Sequence, residues 1–348
     1  MRRLLYLVIF IALAQPLLAQ DIFKLEENLF GTELIKKSKP GVKEGVLAIK
    51  APETLIGTIN ITVSETNTVE IKYKKKTKTN SRSKAFDYID LISVELTSSG
   101  RNYKIEMRTP NPAPWDANES GLVELEVAVP EFYDISIEAH YFDIKAEGPF
   151  KNFSVPKSLG KIEIYGVSDK LEAQTSNRRI IVGNLSGEVD IGTTNSSLSA
   201  EDIISPGKKL SFKNDGGEIQ LNNIHGQLNV KNKYGRIEIE HFYPDDDKSY
   251  IRGFNGPIFM EIVSIKSGQL IISNRFEDID ITVPTTIEAE MFLAVEESGK
   301  IEIGNFPFKP DLVQPNRINI ISGKGAALIN GSIRGNGNIY IKAQDMGE

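Results

Sequence analysis

Residues 160–200 read GKIEIYGVSDKLEAQTSNRRIIVGNLSGEVDIGTTNSSLSA, and a pair of mostly apolar residues flanking one intervening residue returns every nine positions. Such a triplet is the alternation of a short β-strand that buries one face. Glycine, asparagine and serine fill much of the remaining spacing, as is typical of turns. About four strand residues and about five turn residues fit one such unit. The stretch therefore predicts repeated short strands joined by turns.

The same period extends in both directions from this stretch. Its first members are Ile135, Ile144, Phe153, Ile162, Leu171, Ile180, Val189 and Leu198. After a three-residue insertion the series resumes at Leu210, Ile219, Leu228 and Ile237, with weaker continuations at Ile258, Leu270, Ile279, Ile301, Ile318 and Ile339. One unit cannot bury its apolar face alone, whereas stacked units share one continuous core.

We therefore predict an all-β fold, a parallel β-solenoid or β-roll with about nine residues per strand-and-turn unit, over residues 131–345. The period leaves open whether two units make one coil with two sheets or three units make a three-sided coil. An antiparallel β-sandwich with a fortuitous spacing is the remaining alternative.

The region before the repeat has longer strand-like runs, at 59–63, 69–73, 103–107 and 123–129, and longer loops, at 74–85 and 109–120. We predict that residues 43–130 form a wider β cap, because an open solenoid end exposes unpaired backbone. Residues 20–42 form a less regular lead segment. Within it, Glu26 to Lys37 predicts a short helix that ends before Pro40 and Gly41.

The run from Val123 to Pro130, followed by repeated Gly-x-apolar-x-apolar units, resembles a bacterial family of candidate adhesin domains built from β-strand repeats. The units that carry the likeness best are Gly160 to Ile164, Gly235 to Ile239 and Gly299 to Ile303. The resemblance covers about residues 45–345 and implies a parallel β-solenoid outside the cytoplasm. That family is largely of unknown function and implies no catalytic residues, so the adhesin name is an analogy at the level of fold.

The N-terminus predicts export. Arg2 and Arg3 precede an apolar run from Leu4 to Ala14, and Ala19 offers a small residue for cleavage, so residues 1–19 are predicted to be a signal peptide. The run is shorter than the about 20 apolar residues that a membrane span needs, which disfavours an uncleaved anchor. No later segment is long and apolar enough to span, so we expect a periplasmic or cell-surface protein with no integral membrane segment after cleavage.

The composition of the chain excludes several classes of function. The 348 residues include 41 Lys and Arg against 47 Asp and Glu, a formal charge of −6, which argues against a nucleic-acid partner. The absence of cysteine excludes disulfides, thiolate zinc sites and cysteine nucleophiles. With three histidines and no recognised catalytic or cofactor motif, we predict no catalytic residues, no metal and no cofactor.

Six residues remain as candidates for binding, each with a structural alternative. Trp115, on a proline-rich loop, could stack on a sugar or plug the cap. Lys74, Lys75 and Lys76 could contact anionic glycans or lipid head groups, or belong to a solvated hairpin whose charge blocks edge pairing. Glu172 and Asp190 become neighbours if alternate units stack, and could bind Ca²⁺ or act as an acid–base pair, or be solvated charges. The acidic run 245–247 is expected to be a solvated loop.

These observations favour a non-enzymatic exported scaffold with adhesin-like binding of a glycan or a cell-envelope protein. The alternatives are a carbohydrate-active β-helix enzyme and a periplasmic structural or envelope-stress component.

Overall fold

The computed structural model describes residues 22–307 and 310–346, so the predicted signal peptide lies outside the described residues. The N-terminal elements are β1 (Ile22–Glu26), β2 (Leu29–Thr32), β3 (Ile35–Pro40), β4 (Val46–Lys50), β5 (Leu55–Val63), β6 (Thr68–Lys78), α1 (Arg82–Asp90), β7 (Ser93–Ser99), β8 (Asn102–Arg108) and β9 (Ser120–Val129). The repeat contributes β10 (Asp134–Glu138), β11 (Tyr141–Ser158), β12 (Ile162–Thr175), β13 (Ile180–Leu185), β14 (Glu188–Thr193), β15 (Leu198–Asn214), β16 (Ile219–Asn232), β17 (Ile237–Pro244), β18 (Lys248–Arg252), β19 (Ile258–Ile262), β20 (Gln269–Asn274) and β21 (Ile279–Pro284). The C-terminal strands are β22 (Ala289–Val295), β23 (Ile301–Gly304), β24 (Leu312–Gln314), β25 (Arg317–Ile321), β26 (Ala327–Ile333) and β27 (Ile339–Gln344).

Strand segments of the repeat pair in parallel with the segment two units further along the chain. Ile144 lies opposite Ile162, and Ile162 lies opposite Ile180, so one coil holds 18 residues. The intervening units pair among themselves in the same way, as Phe153 does with Leu171. The units therefore alternate between two parallel sheets. This pairing confirms the β-solenoid and selects the two-sided coil that the period alone left open.

We call the sheet that contains β10, β14, β18 and β20 sheet 1, and the sheet that contains β13, β17, β19 and β21 sheet 2. Strands β11, β12, β15 and β16 bend and contribute to both. The chain passes from sheet 1 to sheet 2 at the turn edge, which includes residues 176–179, 194–197, 215–218, 233–236, 254–257 and 275–278. It returns at the insertion edge, where 205–209, 244–248 and 264–268 hold the longer connections.

The apolar residues of the triplets fill the space between the two sheets. Leu171 and Ala173, for example, are 1% and 0% exposed. The core they form runs along the whole stack, so burial of apolar surface stabilises every coil through its neighbours. One unit departs from the pattern, because Ser249 takes the first position and its hydroxyl accepts a hydrogen bond from the Leu228 amide at 3.0 Å. The sequence period fades after Ile237 both because of Ser249 and because the connections 244–248 and 264–268 lengthen two steps from nine to twelve residues.

The turn edge is closely packed backbone against backbone. A Cβ atom added to Gly160 would lie 1.8 Å from the carbonyl oxygen of Phe142, and one added to Gly256 would lie 2.1 Å from that of Gly235. The glycine two residues before a strand is therefore required by close approach of successive coils.

A ladder of buried polar side chains lies just inside the turn edge. Each hydroxyl or amide donates to backbone carbonyls of the surrounding turns, so these carbonyls are not buried without a partner. The members are Thr175, Thr193, Asn214, Asn232 and Asn274.

The N-terminal end is closed by coils that are out of chain order. Strand β4 pairs in parallel with both β10 and β8, and β5 pairs in parallel with both β11 and β9. The coil 102–129 therefore lies outside the coil 46–63. Antiparallel strands then cover the outer edges, with β7 on β8 and β6 on β9. Residues 43–130 thus supply two coils and an antiparallel cover.

The helix predicted over Glu26 to Lys37 is wrong, because these residues lie in β1, β2 and β3. Strands β2 and β3 pair with β6, and this pairing outweighs a weak helix propensity. The loop predicted over 74–85 is also wrong in part, because residues 74–78 complete β6 and the helix α1 begins at Arg82. Its N-cap is Ser81, whose hydroxyl accepts a hydrogen bond from the Lys84 amide at 3.3 Å.

The C-terminal end uses a similar arrangement. Strand β26 pairs in parallel with both β20 and β22, and β27 pairs with both β21 and β23. The last coil of the chain, 327–344, therefore lies inside the earlier coil 289–304. Antiparallel β25 and β24 extend sheet 1 beyond β22. In the described ranges no helix has the length and apolar character needed to cross a membrane.

Candidate functional site

Because the strands of successive coils are in register, their outward-facing residues form straight rows, with about 4.8 Å between neighbouring strands. On sheet 1 one row contains Glu172 and Asp190, which lie directly opposite each other. A second row, two residues further along each strand, contains Gln174, Gly192, Lys213, Lys231 and Arg252. These rows are the most regular chemical feature of the surface of sheet 1.

Glu172 and Asp190 are the neighbours that the eighteen-residue coil requires, and both are half-buried. Asp190 accepts a hydrogen bond from the Lys213 ammonium group at 3.0 Å. Pairing with a lysine leaves this carboxylate less available to a cation or to a proton-transfer step. Among the described residues, no group of three or more His, Asp and Glu is arranged to hold a metal ion.

An open groove of 590 Å³ crosses the junction of sheet 1 and the turn edge. Gly192 lies in its floor, where the amide of Gln174 occupies the space that a Cβ atom would need. Four lysines line the groove: Lys157, Lys213, Lys231 and Lys233. Asp215 also lines the groove and pairs with Lys233 at 3.3 Å, while Lys213 pairs with Asp190. Lys157 and Lys231 form no ion pair with a described residue, and these two ammonium groups are suited to binding anions.

Trp115 lies in the N-terminal cap and is half-buried. Its ring packs over Gly121 and meets Tyr88 edge to face, with the ring centroids 6.0 Å apart. Trp115 therefore joins the loop 109–120 to α1 and is not a freely exposed stacking platform.

Beside this contact, Glu119 holds α1 to the same loop. The hydroxyl of Tyr88 donates to the Glu119 carboxylate at 2.7 Å, and that of Thr79 does so at the same distance. The Tyr88 bond, followed by that of Thr79, lowers the pKa of Glu119 to about 2. The ammonium group of Lys84 also bonds to this carboxylate, at 3.2 Å.

The structure does not bring Lys74, Lys75 and Lys76 together as one patch. All three lie on β6, so alternate side chains point to opposite faces. Lys75 is buried, and this burial lowers its pKa, while the nearby Asp90 opposes the shift. Lys76 forms an ion pair with Glu124 on the neighbouring strand.

The acidic loop 245–247 accepts hydrogen bonds from the neighbouring connections at the insertion edge. The Gly207 amide donates to the Asp245 carboxylate at 2.6 Å, and the hydroxyl of Ser267 donates to Asp246. These bonds tie together the three longer connections of successive coils. His225 stacks on Tyr243 at 3.9 Å beside this loop, and burial lowers the pKa of His225.

The sequence reading did not single out the lysines of the groove. They do not form a run in the chain, since Lys213 and Lys231 are separated by one whole coil. The signal that could have found them is the same eighteen-residue stacking that places Glu172 opposite Asp190, applied two residues further along each strand. When the coils are stacked in this way, the residues that follow each triplet align, and these two lysines lie in one row.

Comparison with known proteins agrees with the architecture. The family model described as Toastrack DUF4097 matches residues 56–250 of the chain. No curated protein matches the chain.

Several solved structures are similar to the chain, including the following three. A candidate cell adhesion protein from Clostridium sporogenes is 13% identical over 90% of this chain and 100% of that one, with a TM-score of 0.22. A candidate adhesin from Bacteroides fragilis is 10% identical over 89% and 97%, with a TM-score of 0.27. One from Parabacteroides distasonis is 11% identical over 89% and 97%, with a TM-score of 0.33. Similarities at this level carry no argument about ligands.

Proposed function

The chain belongs to the Toastrack DUF4097 family, and we propose that it is an exported, non-enzymatic scaffold that binds a glycan along its coils at the cell envelope. The observation that carries this proposal is the row of outward side chains repeated once per coil on sheet 1. A polymer with a regular repeat can contact several coils at once, and many weak contacts then add to a useful affinity. The predicted signal peptide supports export.

A second candidate function is that of a carbohydrate-active enzyme, which one specific contact supports. It would use Glu172 and Asp190, which lie opposite each other on sheet 1. A hydrolase of this kind needs two carboxyl groups with pKa values pushed apart, one as an acid and one as a base or nucleophile. The ion pair of Asp190 with Lys213 favours a structural role for this carboxylate.

The experiment is affinity electrophoresis of residues 20–348 through gels that contain neutral or acidic polysaccharides. We expect slower migration in at least one polysaccharide gel than in a plain gel. Unchanged migration in every gel would count against glycan binding and would favour a protein partner. Release of new reducing ends that Glu172→Gln and Asp190→Asn abolish would establish the enzyme instead.

Protease treatment of intact cells, with a periplasmic protein as control, tests the location. Cleavage of this protein while the control survives would place it on the surface. Protection until the outer envelope is opened would place it in the periplasm, where a structural or envelope-stress role would replace adhesion.

A further inference from the structure

We infer that the ligand is an acidic polysaccharide and that it lies along the turn edge of the later coils, an inference that rests on the proposed glycan binding. Two features meet there. The first is the basic row, which we define as Lys213, Lys231 and Arg252. The second is the aromatic strip, which we define as Tyr234, Phe254 and Phe276.

The basic row holds like charges on directly adjacent strands. Lys213 lies opposite Lys231, and Lys231 lies opposite Arg252. Like charges in this position repel one another and destabilise a sheet. Lys213 is neutralised by Asp190, but within the described ranges no ion pair involves Lys231 or Arg252. Folding therefore relieves the repulsion at Lys213 but not between Lys231 and Arg252, where a bound anion would relieve it.

The aromatic strip lies at the tips of the adjoining turns, two or three residues beyond the basic row. Tyr234 and Phe276 are large aromatic side chains that are 51% and 42% exposed, on turns two coils apart. Phe254 and Phe276 meet edge to face at 5.4 Å. Exposed aromatic side chains at the tips of successive turns provide apolar surface for contact with sugar rings.

Further cations accompany the rings. The Arg275 guanidinium lies over Phe254 at 4.9 Å and over Phe276 at 5.0 Å, and the Lys233 ammonium lies 4.9 Å from the centre of the Tyr234 ring. Arg275 therefore holds a positive group beside two rings, whereas the Lys233 ammonium group is also paired with Asp215 at 3.3 Å. A ligand that offers both sugar rings and acidic groups at short intervals matches this combination.

The opposite face is less favourable for the same ligand, even though Lys161 and Arg236 pair with two of its carboxylates. The outward rows of sheet 2 carry many carboxylates, and the whole chain has a formal charge of −6, so an anionic polymer is repelled from most of the surface. These residues are Glu163, Glu201, Glu238, Glu240 and Glu261. The separation of charge between the two faces leaves the groove side of the turn edge as the favourable approach for a polyanion.

Cations interleaved with aromatic rings also occur in proteins that bind single-stranded nucleic acid. Both candidate ligands are polyanions, so the net charge of the chain does not distinguish them, and the polysaccharide follows from the glycan binding proposed above. An oligothymidylate probe in the experiment separates the two.

The test uses the chain from residue 20 to 348 with four probes: polygalacturonate, dextran sulfate, neutral dextran and oligothymidylate. Binding is measured by affinity electrophoresis at two salt concentrations. The double variant Lys231→Gln/Arg252→Gln removes the unpaired part of the basic row. The matched control, Lys208→Gln/Lys209→Gln, removes two exposed cations at the opposite, insertion edge. The variant Tyr234→Ala/Phe276→Ala removes the exposed rings without changing charge.

We expect polygalacturonate or dextran sulfate to bind the native chain, more weakly at high salt. The row variant should bind about tenfold more weakly, and the control should bind like the native chain. The ring variant should lose affinity while keeping the salt dependence. Equal loss in the row variant and the control would overturn the placement of the site.

Other outcomes separate the two proposals. Binding of neutral dextran with no binding of either acidic polymer would leave glycan binding standing and overturn the acidic ligand. Tighter binding of oligothymidylate than of any polysaccharide would overturn both and establish a nucleic-acid partner. Binding of no probe would also overturn the acidic ligand, while the wider panel of neutral and acidic polysaccharides described above still tests glycan binding itself.

Discussion

At the scale of the residue, glycine sets the distance between coils. The turn that contains Gly160 lies directly against the backbone of the coil before it, near Phe142. Any side chain would force the two coils apart, and the strands on either side could then no longer keep their hydrogen-bonding distance. The Gly-x-apolar units at Gly160, Gly187, Gly235 and Gly256 each mark a place where two backbones touch.

The substitution Gly160→Ala tests this contact. Its Cβ atom would lie 1.8 Å from the Phe142 carbonyl oxygen, so we expect the free energy of unfolding to fall by about 1 to 3 kcal/mol. The control is Gly304→Ala, whose Cβ atom would meet only the Lys342 Cβ atom, at 3.7 Å. Chemical denaturation of both variants provides the measurement. Equal stabilities would show that the coils can separate at little energetic cost.

Lys75 is a residue whose charge opposes folding. Burial lowers its pKa below the ordinary 10.5, so the charged form is less favourable in the folded chain than in the unfolded chain. The substitution Lys75→Met should raise the free energy of unfolding by about 1 to 3 kcal/mol at neutral pH. Lys78→Met, at an exposed position of the same strand, should change it by less than about 0.5 kcal/mol.

The pH dependence of the Lys75 effect has a definite sign. A lowered pKa means that the folded chain releases this proton before the unfolded chain does, so the stability of the native chain rises as the pH rises through the folded value toward 10.5. The advantage of Lys75→Met should therefore shrink at alkaline pH. An advantage that stays constant up to pH 10.5 would indicate that Lys75 contributes by packing alone.

At the scale of the element, α1 depends on one carboxylate. Tyr88 on the helix and Thr79 before it both donate to Glu119, and Lys84 adds an ionic contact. The substitution Glu119→Gln should speed amide hydrogen exchange in α1 and destabilise the cap by about 1 kcal/mol at pH 7. Asp87→Asn changes an exposed carboxylate of α1 and serves as the control. Similar exchange in both variants would contradict the assigned role.

Acid should reproduce the effect of that substitution. The pKa of Glu119 is lowered to about 2 in the folded chain from an ordinary value of 4.5. The stability it contributes is therefore complete above about pH 4.5 and is lost as the pH falls toward 2. Exchange in α1 of the native chain should approach that of Glu119→Gln over this range.

The elements differ in how far the sequence predicted them. The nine-residue units were predictable because each short strand carries its own apolar pair, as at Leu171 and Ala173. The strands β1 to β3 were not, since their conformation depends on pairing with β6, which is distant in the chain. The opposition of Glu172 and Asp190 followed from assuming an eighteen-residue coil. The basic row did not emerge from the sequence, because its members stand out only after the coils are stacked.

At the scale of the whole molecule, both ends are closed by inserting a coil out of chain order. At the C-terminus, 289–304 forms the outermost coil and 327–344 then returns to lie between it and the rest of the stack. Within the described residues, the parallel pairing that joins this outer coil to the stack is therefore made through β26 and β27, which follow it in the chain. This order makes the end a single cooperative unit, unlike a simple repeat array in which each coil rests on the one before.

Truncation of the chain after Gly325 tests this architecture. The truncated chain keeps β22 to β25 but loses β26 and β27, the strands that join them to β20 and β21. We expect residues 285–325 to become sensitive to protease, with digestion trimming the chain back to near Pro284. A second truncation, after Pro284, should have the same denaturation midpoint. The reason is that residues 285–325 add no stability once β26 and β27, which join them to the stack, are absent. A midpoint well above that of the shorter chain, together with protection of 285–325, would show that the outer coil docks by itself.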